Sequence, residues 1–339
     1  MPGKRSAKKR PFAIDIHSHV TIPEAEAMVE ALPDPEQGRV RSWASGAAAE
    51  AQAKLRREKY PKVTDLRVRL ADMDKLGFDI QAVSANFGPA FYHAEGERAL
   101  EIARVANDGV ADWVSRAPDR FVGFCAVPLQ DPTLAAGEIE RSVKQLKLRG
   151  AWILSNIRGR DLGEEQFRPF WSKAQELNVP VFVHPLGFTS PERLQKAMLW
   201  STIGQPLEEA LAISSLVYEG IMDAFPRLKV GICHGGGFFP YYIGRHDNAY
   251  RTRAEVKDRI TRRPSAYIRR FFYDTVIFDP DMLEYLVKKA GDAHVVLGSD
   301  FPWNEPRPVG FVSDALGLTK KAKERLLWRN AASLLKLSL

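Results

Sequence analysis

Eight short apolar runs alternate with longer amphipathic stretches along the 339-residue chain, and this alternation constrains the fold more than any other feature. Runs that are apolar throughout, rather than at every second residue, are typical of parallel strands covered on both faces. The stretches between them place apolar residues at helical spacing. Eight strand–helix units predict an α/β fold, which is either a (β/α)8 TIM barrel or a doubly wound open sheet.

The predicted strands are separated by stretches long enough for a helix. They cover residues 12–17, 79–84, 121–127, 150–154, 179–184, 228–233, 271–275 and 294–298. The first regular helix is predicted to be capped by Asp65 and ended by Gly77, and the last lies near 320–335. About residues 21–64, rich in Ala, Glu, Arg and Pro, form a predicted insertion with some helix. We expect a cap or an interface element there, because loops of this length are uncommon without a role.

Charge divides the chain into a tail and a body. Five cations and no acid fall within the first ten residues, so the formal charge of +7 leaves +2 for the remainder. We predict a basic, disordered tail at 1–11 and a single domain at 12–339. The nearly neutral body lacks the basic stripe of a nucleic-acid surface. We therefore expect no nucleic-acid partner.

The apolar runs and the cysteines bear on localisation. No apolar run reaches the roughly 20 residues of a membrane span, and the basic start lacks the apolar segment of a signal peptide. Cys125 and Cys233 each lie inside an apolar run, as expected of reduced, buried thiols. We expect a cytoplasmic protein with no membrane partner.

Candidate catalytic residues fall at the ends of the predicted strands. Strand one ends at His17 and His19, strand five at His184, strand six at His234 and strand eight at Asp300. Catalytic groups of a (β/α)8 barrel lie at the carboxyl ends of its strands, and residues i and i+2 of a strand face the same side. This placement favours the barrel and predicts that the five side chains meet at its mouth.

The predicted metal ligands are His17, His19, His184 and Asp300. Three imidazoles and one carboxylate form a nitrogen-rich site that suits zinc best, while manganese or iron would also be accepted. A second metal in such a barrel usually needs a bridging Lys or Glu at the end of strand four, and residues 152–156 contain neither. We therefore predict one divalent metal.

His234 is then left for proton transfer or oxyanion stabilisation, with a role as fifth ligand as the alternative. Other residues near the predicted mouth are candidate substrate contacts. His93 follows strand two, and Trp200, Phe301 and Trp303 offer aromatic walls to a planar substrate. A surface position for the histidine and core packing for the aromatic residues are the plainer interpretations.

Four stretches together resemble the amidohydrolase superfamily, and more closely its decarboxylase branch typified by aminocarboxymuconate semialdehyde decarboxylase. The similarity runs from about residue 12 to the C-terminus. The stretches are IDIHSH at 14–19, VFVHP at 181–185, CHGGGFFP at 233–240 and LGSDFP at 297–302. The third is the most specific of the four, whereas the His-x-His pair is shared by the whole superfamily.

The resemblance implies a barrel with zinc on the four predicted ligands and with His234 as the catalytic histidine. It also implies that Arg245 binds a substrate carboxylate and reaches into the neighbouring subunit's site, and hence a homodimer. A second arginine of the family lies in the insertion, where only Arg56 or Arg57 could match and the surrounding residues differ.

We therefore predict a metal-dependent decarboxylase that releases carbon dioxide non-oxidatively from a planar aromatic or unsaturated carboxylic acid, with Asp300 or His234 protonating the carbon. The alternative is hydrolysis of an amide, lactone or related carbonyl, in which Asp300 takes a proton from metal-activated water and His234 stabilises the oxyanion. A third possibility, a non-catalytic metal- or nucleic-acid-binding protein, is disfavoured by the nearly neutral body.

Overall fold

The computed structural model describes residues 10–32, 46–85, 89–186, 188–303 and 306–339. Eight parallel strands follow one another around a single sheet in chain order. They are β1 (Ile14–Val20), β2 (Ile80–Ala85), β3 (Phe121–Ala126), β4 (Ala151–Leu154), β5 (Pro180–His184), β6 (Lys229–Ile232), β7 (Phe271–Asp274) and β8 (Val295–Val296). The sheet closes on itself, because Ile16 N donates to Leu297 O over 2.8 Å and Ser18 pairs in parallel with Phe301. The predicted (β/α)8 barrel is confirmed.

Helices cover the outside of the barrel and form the segment after β1. They are α1 (Pro23–Glu30), α2 (Ala47–Thr64), α3 (Leu66–Leu76), α4 (Gly96–Ser115), α5 (Pro132–Lys144), α6 (Arg168–Leu177), α7 (Gln205–Tyr218), α8 (Ile221–Ala224), α9 (Ile243–Thr252), α10 (Ala254–Lys257), α11 (Pro280–Ala290), α12 (Pro308–Asp314), α13 (Lys320–Glu324) and α14 (Asn330–Leu335). None of the helices described is long and apolar enough to cross a membrane.

Capping residues fix several of these boundaries. The Asp65 carboxylate accepts from the backbone N–H groups of Arg67 and Val68, and Gly77 ends α3 with a φ of 87°. Both features agree with the sequence prediction. A side chain satisfies donors that the first turn of a helix leaves unpaired, and glycine adopts the left-handed conformation without a Cβ clash. Asp131 caps α5 in the same way.

The predicted tail and the predicted insertion lie on either side of β1, and that division of the chain stays a prediction. Helices α1 and α2 lie within the predicted insertion, whereas 33–45 fall outside the described residues, as do 1–9 of the predicted tail. Arg10, also assigned to that tail, donates to both carboxylate oxygens of Asp79 at 2.7 and 2.9 Å. This ion pair fixes the chain at the amino end of the barrel.

Two predicted helices are interrupted. The helix predicted at 206–223 breaks at Gly220, which has a φ of 76° and separates α7 from α8. The helix predicted near 320–335 contains a π-helical segment, Arg325–Arg329, between α13 and α14. The interruptions leave the order of elements unchanged.

Large aromatic side chains fill the barrel interior beneath its mouth. Trp152 and Phe182 stack with ring centroids 5.8 Å apart, and Phe124 lies 5.4 Å from Phe182. Gly231 makes room for this layer, because a Cβ there would approach the Phe182 ring to 2.3 Å. The core therefore forms a closed floor under the carboxyl ends of the strands.

Candidate active site

Four imidazoles and one carboxylate converge at the mouth of the barrel. The Nε2 atoms of His17 and His19 lie 3.2 and 3.0 Å from Oδ1 of Asp300, and Nε2 of His234 lies 3.6 Å from Oδ2. The ring of His184 is 5.3 Å from the rings of both His17 and His19, measured between centroids. The structure thus brings together all five side chains that the strand ends singled out.

The donor atoms have the spacing that one cation requires. One compact group consists of His17, His184, His234 and Asp300, whose ligand atoms lie within 4.8 Å of one another, and His19 joins it through Asp300. A tetrahedral ion with donors about 2.1 Å away separates them by roughly 3.4 Å. Among the described residues, Nε2 of His17 and Nε2 of His234 are buried without a hydrogen-bond partner. Such atoms suit a cation, since a buried polar atom without a partner is costly.

Hydrogen bonds from behind orient the two imidazoles of β1. His17 Nδ1 lies 2.6 Å from Oδ2 of Asp274, at the end of β7, and both side chains are fully buried. His19 Nδ1 lies 3.3 Å from the hydroxyl of Ser84 on β2. With Nδ1–H of His17 donating to Asp274, the lone pair on Nε2 points toward Asp300. This is the arrangement by which a carboxylate orients a metal-binding histidine.

Burial and neighbouring charges shift the pKa values of the cluster in opposite directions. Burial alone would lower the pKa of His17, but the carboxylates of Asp300 and Asp274 raise it to about 9. For His19 and His184, burial keeps the pKa below its usual value. Burial would raise the pKa of Asp300, yet the surrounding imidazoles hold it well below its usual range. The Asp300 carboxylate therefore stays ionised and His19 and His184 stay neutral, whereas His17 would release a proton when a metal ion binds.

His234 is held by a carboxylate that sequence analysis did not single out. Its Nδ1 atom lies 2.6 Å from Oε1 of Glu209 on α7, and the Glu209 side chain is fully buried. Burial raises the pKa of Glu209 to about 7. Burial would lower the pKa of His234, but Glu209 and Asp300 raise it well above its ordinary value. The ring therefore sits between two carboxylates and can keep a proton at neutral pH.

The backbone at the two candidate proton donors is strained. His234 has a φ of 46° and Asp300 a φ of 53°, both in the left-handed region that side chains other than glycine rarely adopt. Strain of this kind persists only where the surrounding structure holds it, and it concentrates at functional sites. At Gly237, which follows in the glycine run, a Cβ would meet Pro206 O at 2.1 Å. Glycine there lets the start of α7, and with it Glu209, approach the β6 loop.

The end of β4 carries an aromatic wall in place of a bridging ligand. Trp152 lies 5.0, 5.5 and 5.7 Å from the rings of His17, His19 and His184. The next polar residue, Ser155, donates to Glu208 Oε2 over 3.2 Å. The end of β4 is therefore linked to the start of α7 through Glu208.

The predicted substrate contacts lie in different surroundings. Trp303 lies three residues after Asp300, and its backbone N–H donates to Asp300 O over 2.7 Å. His93 ends the short helix Pro89–His93 after β2. Trp200 begins a π-helical segment, and its ring lies 6.4 Å from that of Phe188. Arg245 is exposed on α9 and forms no ion pair with a described carboxylate. Their contacts with a substrate stay predictions.

Sequence analysis missed Glu209 and Asp274, which both contact the cluster. Asp274 could have been found, because it lies in predicted strand seven near the carboxyl end, where catalytic groups of a barrel occur. Glu209 lies inside a helix, so the same rule does not reach it. Its only trace in the sequence is a second acid, next to Glu208, on a helix predicted to pack against the barrel.

A comparison with family profiles identifies the family to which the chain belongs. The amidohydrolase profile matches residues 14–337, which include every strand of the barrel. The chain belongs to the amidohydrolase family. The resemblance seen in the four sequence stretches is thereby confirmed.

Relatives of this amidohydrolase lie in the decarboxylase branch. The 2-amino-3-carboxymuconate-6-semialdehyde decarboxylase of Dictyostelium discoideum is 32% identical over 274 residues, or 80% of this chain and 76% of the relative. A crystal structure of 5-carboxyvanillate decarboxylase from Sphingomonas paucimobilis has a TM-score of 0.84 at 26% identity, covering 97% of this chain and 100% of that one. A dihydroxybenzoic acid decarboxylase from Polaromonas sp. JS666, solved with bound manganese and 2-nitroresorcinol, has a TM-score of 0.78 at 27% identity over 96% of this chain and 97% of that one.

Proposed function

We propose that this amidohydrolase is a carboxy-lyase that releases carbon dioxide non-oxidatively from a planar aromatic or unsaturated carboxylic acid. The observation that carries the proposal is the convergence of His17, His19, His184 and Asp300 beside the His234–Glu209 pair. The set joins candidate metal donors to a histidine that can hold a proton. The two decarboxylases described above, from Dictyostelium discoideum and Sphingomonas paucimobilis, act on carboxylic acids of this class.

We assign His17, His19, His184 and Asp300 to one divalent ion. When bound, the ion supplies a Lewis acid that orients the substrate's oxygen atoms and neutralises negative charge that develops on them. Zinc is the ion that the nitrogen-rich donor set favours. The manganese in the structure of the Polaromonas relative makes that metal the alternative.

The remaining step is the placement of a proton. Decarboxylation breaks the bond between the ring or ene carbon and the carboxyl carbon, and the electron pair stays on the ring or ene carbon. A proton must reach that carbon, and we assign its delivery to His234, either directly or through the carboxylate of Asp300, whose Oδ2 lies 3.6 Å from Nε2 of His234. Glu209 holds Nδ1–H of the same ring, which leaves Nε2 on the side of Asp300 for the proton transfer. General acids positioned in this way contribute about 10²–10⁴-fold to rate.

We assign the binding of the substrate's carboxylate to Arg245, and contacts with its planar face to Trp303, Trp200 and His93. Arg245 is exposed in the single chain, as expected if it completes the site of a second subunit. Two large apolar side chains are exposed: Tyr242, three residues before Arg245, at 59%, and Phe278, which follows β7, at 55%. An apolar surface of this kind suits a homodimer interface.

The two buried free cysteines are compatible with a cytoplasmic location.

The test begins with metal analysis of the purified protein. One equivalent of zinc or manganese is expected, followed by carbon dioxide release in a screen of hydroxybenzoates and muconate-like acids. Running the reactions in oxygen-18 water separates decarboxylation from hydrolysis, because only hydrolysis places the heavy oxygen in the organic product. A metal-bound protein that releases no carbon dioxide, yet incorporates the label from an amide or lactone, would contradict the proposal.

A further inference from the structure

Helix α2, in the insertion after β1, is held on the barrel mouth mainly by polar contacts. Among the side chains described on this helix, only Val63 is buried. An amphipathic helix normally attaches through an apolar face, and α2 has little of one. The attachment must therefore come from other groups, and these are chiefly its lysines.

Lys59 makes the most specific of these contacts. Its ammonium group donates to the backbone carbonyls of Pro302 and Trp303 at 2.5 and 2.9 Å, and it lies 5.3 Å from the centre of the Trp303 ring. One turn later, Lys62 lies 5.9 Å from the Phe301 ring. Through these two lysines, the insertion contacts the short loop that follows β8.

That loop begins at Asp300, the carboxylate around which the imidazoles gather. The carbonyl of Phe301 accepts from His19 N over 3.0 Å, and the next two carbonyls accept from Lys59. Three consecutive carbonyls after Asp300 are therefore fixed by groups outside the loop. Because Asp300 has a strained φ of 53°, these contacts help to hold it in place.

The Lys59 charge has no carboxylate partner among the described residues, and its side chain is half-buried. Burial and the neighbouring Lys62 lower the pKa of Lys59, while the Asp300 carboxylate offsets part of that effect. A cation that only anchored a surface helix would gain more from one of the many exposed acids. Its use on two carbonyls next to Asp300 indicates a function in fixing that loop.

We infer that Lys59 is a positioning residue, through which the insertion sets the geometry of Asp300 and thereby the affinity of the site for its ion. The inference rests on the proposed metal role of Asp300. It also gives the insertion after β1 a definite function at the mouth of the barrel. Outer contacts that orient a metal ligand are typically worth 10–100-fold in metal affinity.

The test measures zinc affinity of the full-length protein by competition with a chelator, without substrate. Lys59→Met, which removes the donors and the charge, is expected to weaken zinc binding about 10-fold or more. Lys59→Arg keeps a positive charge and enough N–H donors for both carbonyls, so it is expected to hold zinc affinity within about threefold of wild type. Lys54→Met is the matched control, because Lys54 lies on the same helix, is 73% exposed and, among the described residues, forms an ion pair with Glu58 at 3.9 Å.

Wild-type zinc affinity in Lys59→Met would overturn the inference, as would an equal loss in Lys54→Met or no rescue by arginine. Should Lys59→Met fail to fold, Lys59→Gln replaces it in the same comparison. Since no substrate is used, the result is independent of the carbon dioxide screen. If zinc affinity depends on Lys59, the inference holds even when the screen finds no substrate. If the enzyme releases carbon dioxide but its zinc affinity does not depend on Lys59, the inference is wrong while the proposed function still holds.

Discussion

His234 Nδ1 and Glu209 Oε1 lie 2.6 Å apart, on the β6 loop and helix α7, and the carboxylate that accepts this hydrogen bond is fully buried. The second oxygen of Glu209 is buried without a hydrogen-bond partner in the described part of the chain. The carboxylate is thus committed to one imidazole. We therefore expect Glu209 to influence the reaction through the protonation state and the orientation of His234.

Replacing Glu209 by glutamine keeps the shape of the side chain but removes its charge. We expect kcat on the acid identified by the screen to fall by about 10–10³-fold, since a general acid that loses the carboxylate orienting it and stabilising its protonated form loses much of its contribution. Metal content should not change. Glu138→Gln is the matched control, because Glu138 is a buried acid that pairs with Arg141, away from the site. Equal losses in the two variants would point to a general effect of altering a buried acid.

Replacing His234 by alanine tests the division of labour among the four imidazoles. We expect turnover to fall by about 10²–10⁴-fold, while the protein still binds one equivalent of metal through the other three histidines and Asp300. Metal content by elemental analysis and kcat under saturating substrate are the two measurements. A metal-free His234→Ala protein would assign this imidazole to the ion, as its place in the compact donor group permits.

The local patterns that the sequence contains were sufficient for the barrel and for the five groups at its mouth. Asp65 caps the start of helix α3 and Gly77 ends it, as predicted, because caps depend on only a few neighbouring residues. His17 and His184 lie far apart in the chain but at corresponding ends of parallel strands, so the architecture alone brings them together.

What could not be predicted depends on how helices and loops pack. Glu209 reaches His234 only because α7 comes close to the β6 loop at Gly237. Nothing local to Glu209 encodes that approach. β8 spans only Val295–Val296, shorter than the five residues predicted, because Leu297 N donates to Leu326 O and Gly298 N donates to the hydroxyl of Thr275. Apolar content alone does not mark where such a change of hydrogen-bond partner begins.

We expect Asp274 to affect the affinity of the site for its metal ion through His17, without being a ligand itself. Its Oδ2 accepts from His17 Nδ1 over 2.6 Å, and its Oδ1 accepts from Gly235 N over 3.2 Å. Asp274→Asn can present an N–H group to His17 and reverse the tautomer, which places a proton on Nε2. We expect zinc affinity to fall by about 10–100-fold, measured by chelator competition. Unchanged affinity would show that His17 is oriented by other contacts.

The exposed position of Arg245 leads to a complementation test of the homodimer. We expect Arg245→Ala mainly to raise KM, because a carboxylate loses its bidentate partner. If Arg245 acts across the subunit boundary, mixing inactive His234→Ala with Arg245→Ala forms hybrid dimers that contain one intact site. With random exchange, half of the dimers are hybrids, so about a quarter of all sites regain activity. The assay uses a substrate concentration well below the wild-type KM, where Arg245→Ala alone is nearly silent. Mixtures that exchange subunits, as shown by differently tagged chains, yet regain nothing would place Arg245 outside the partner's site.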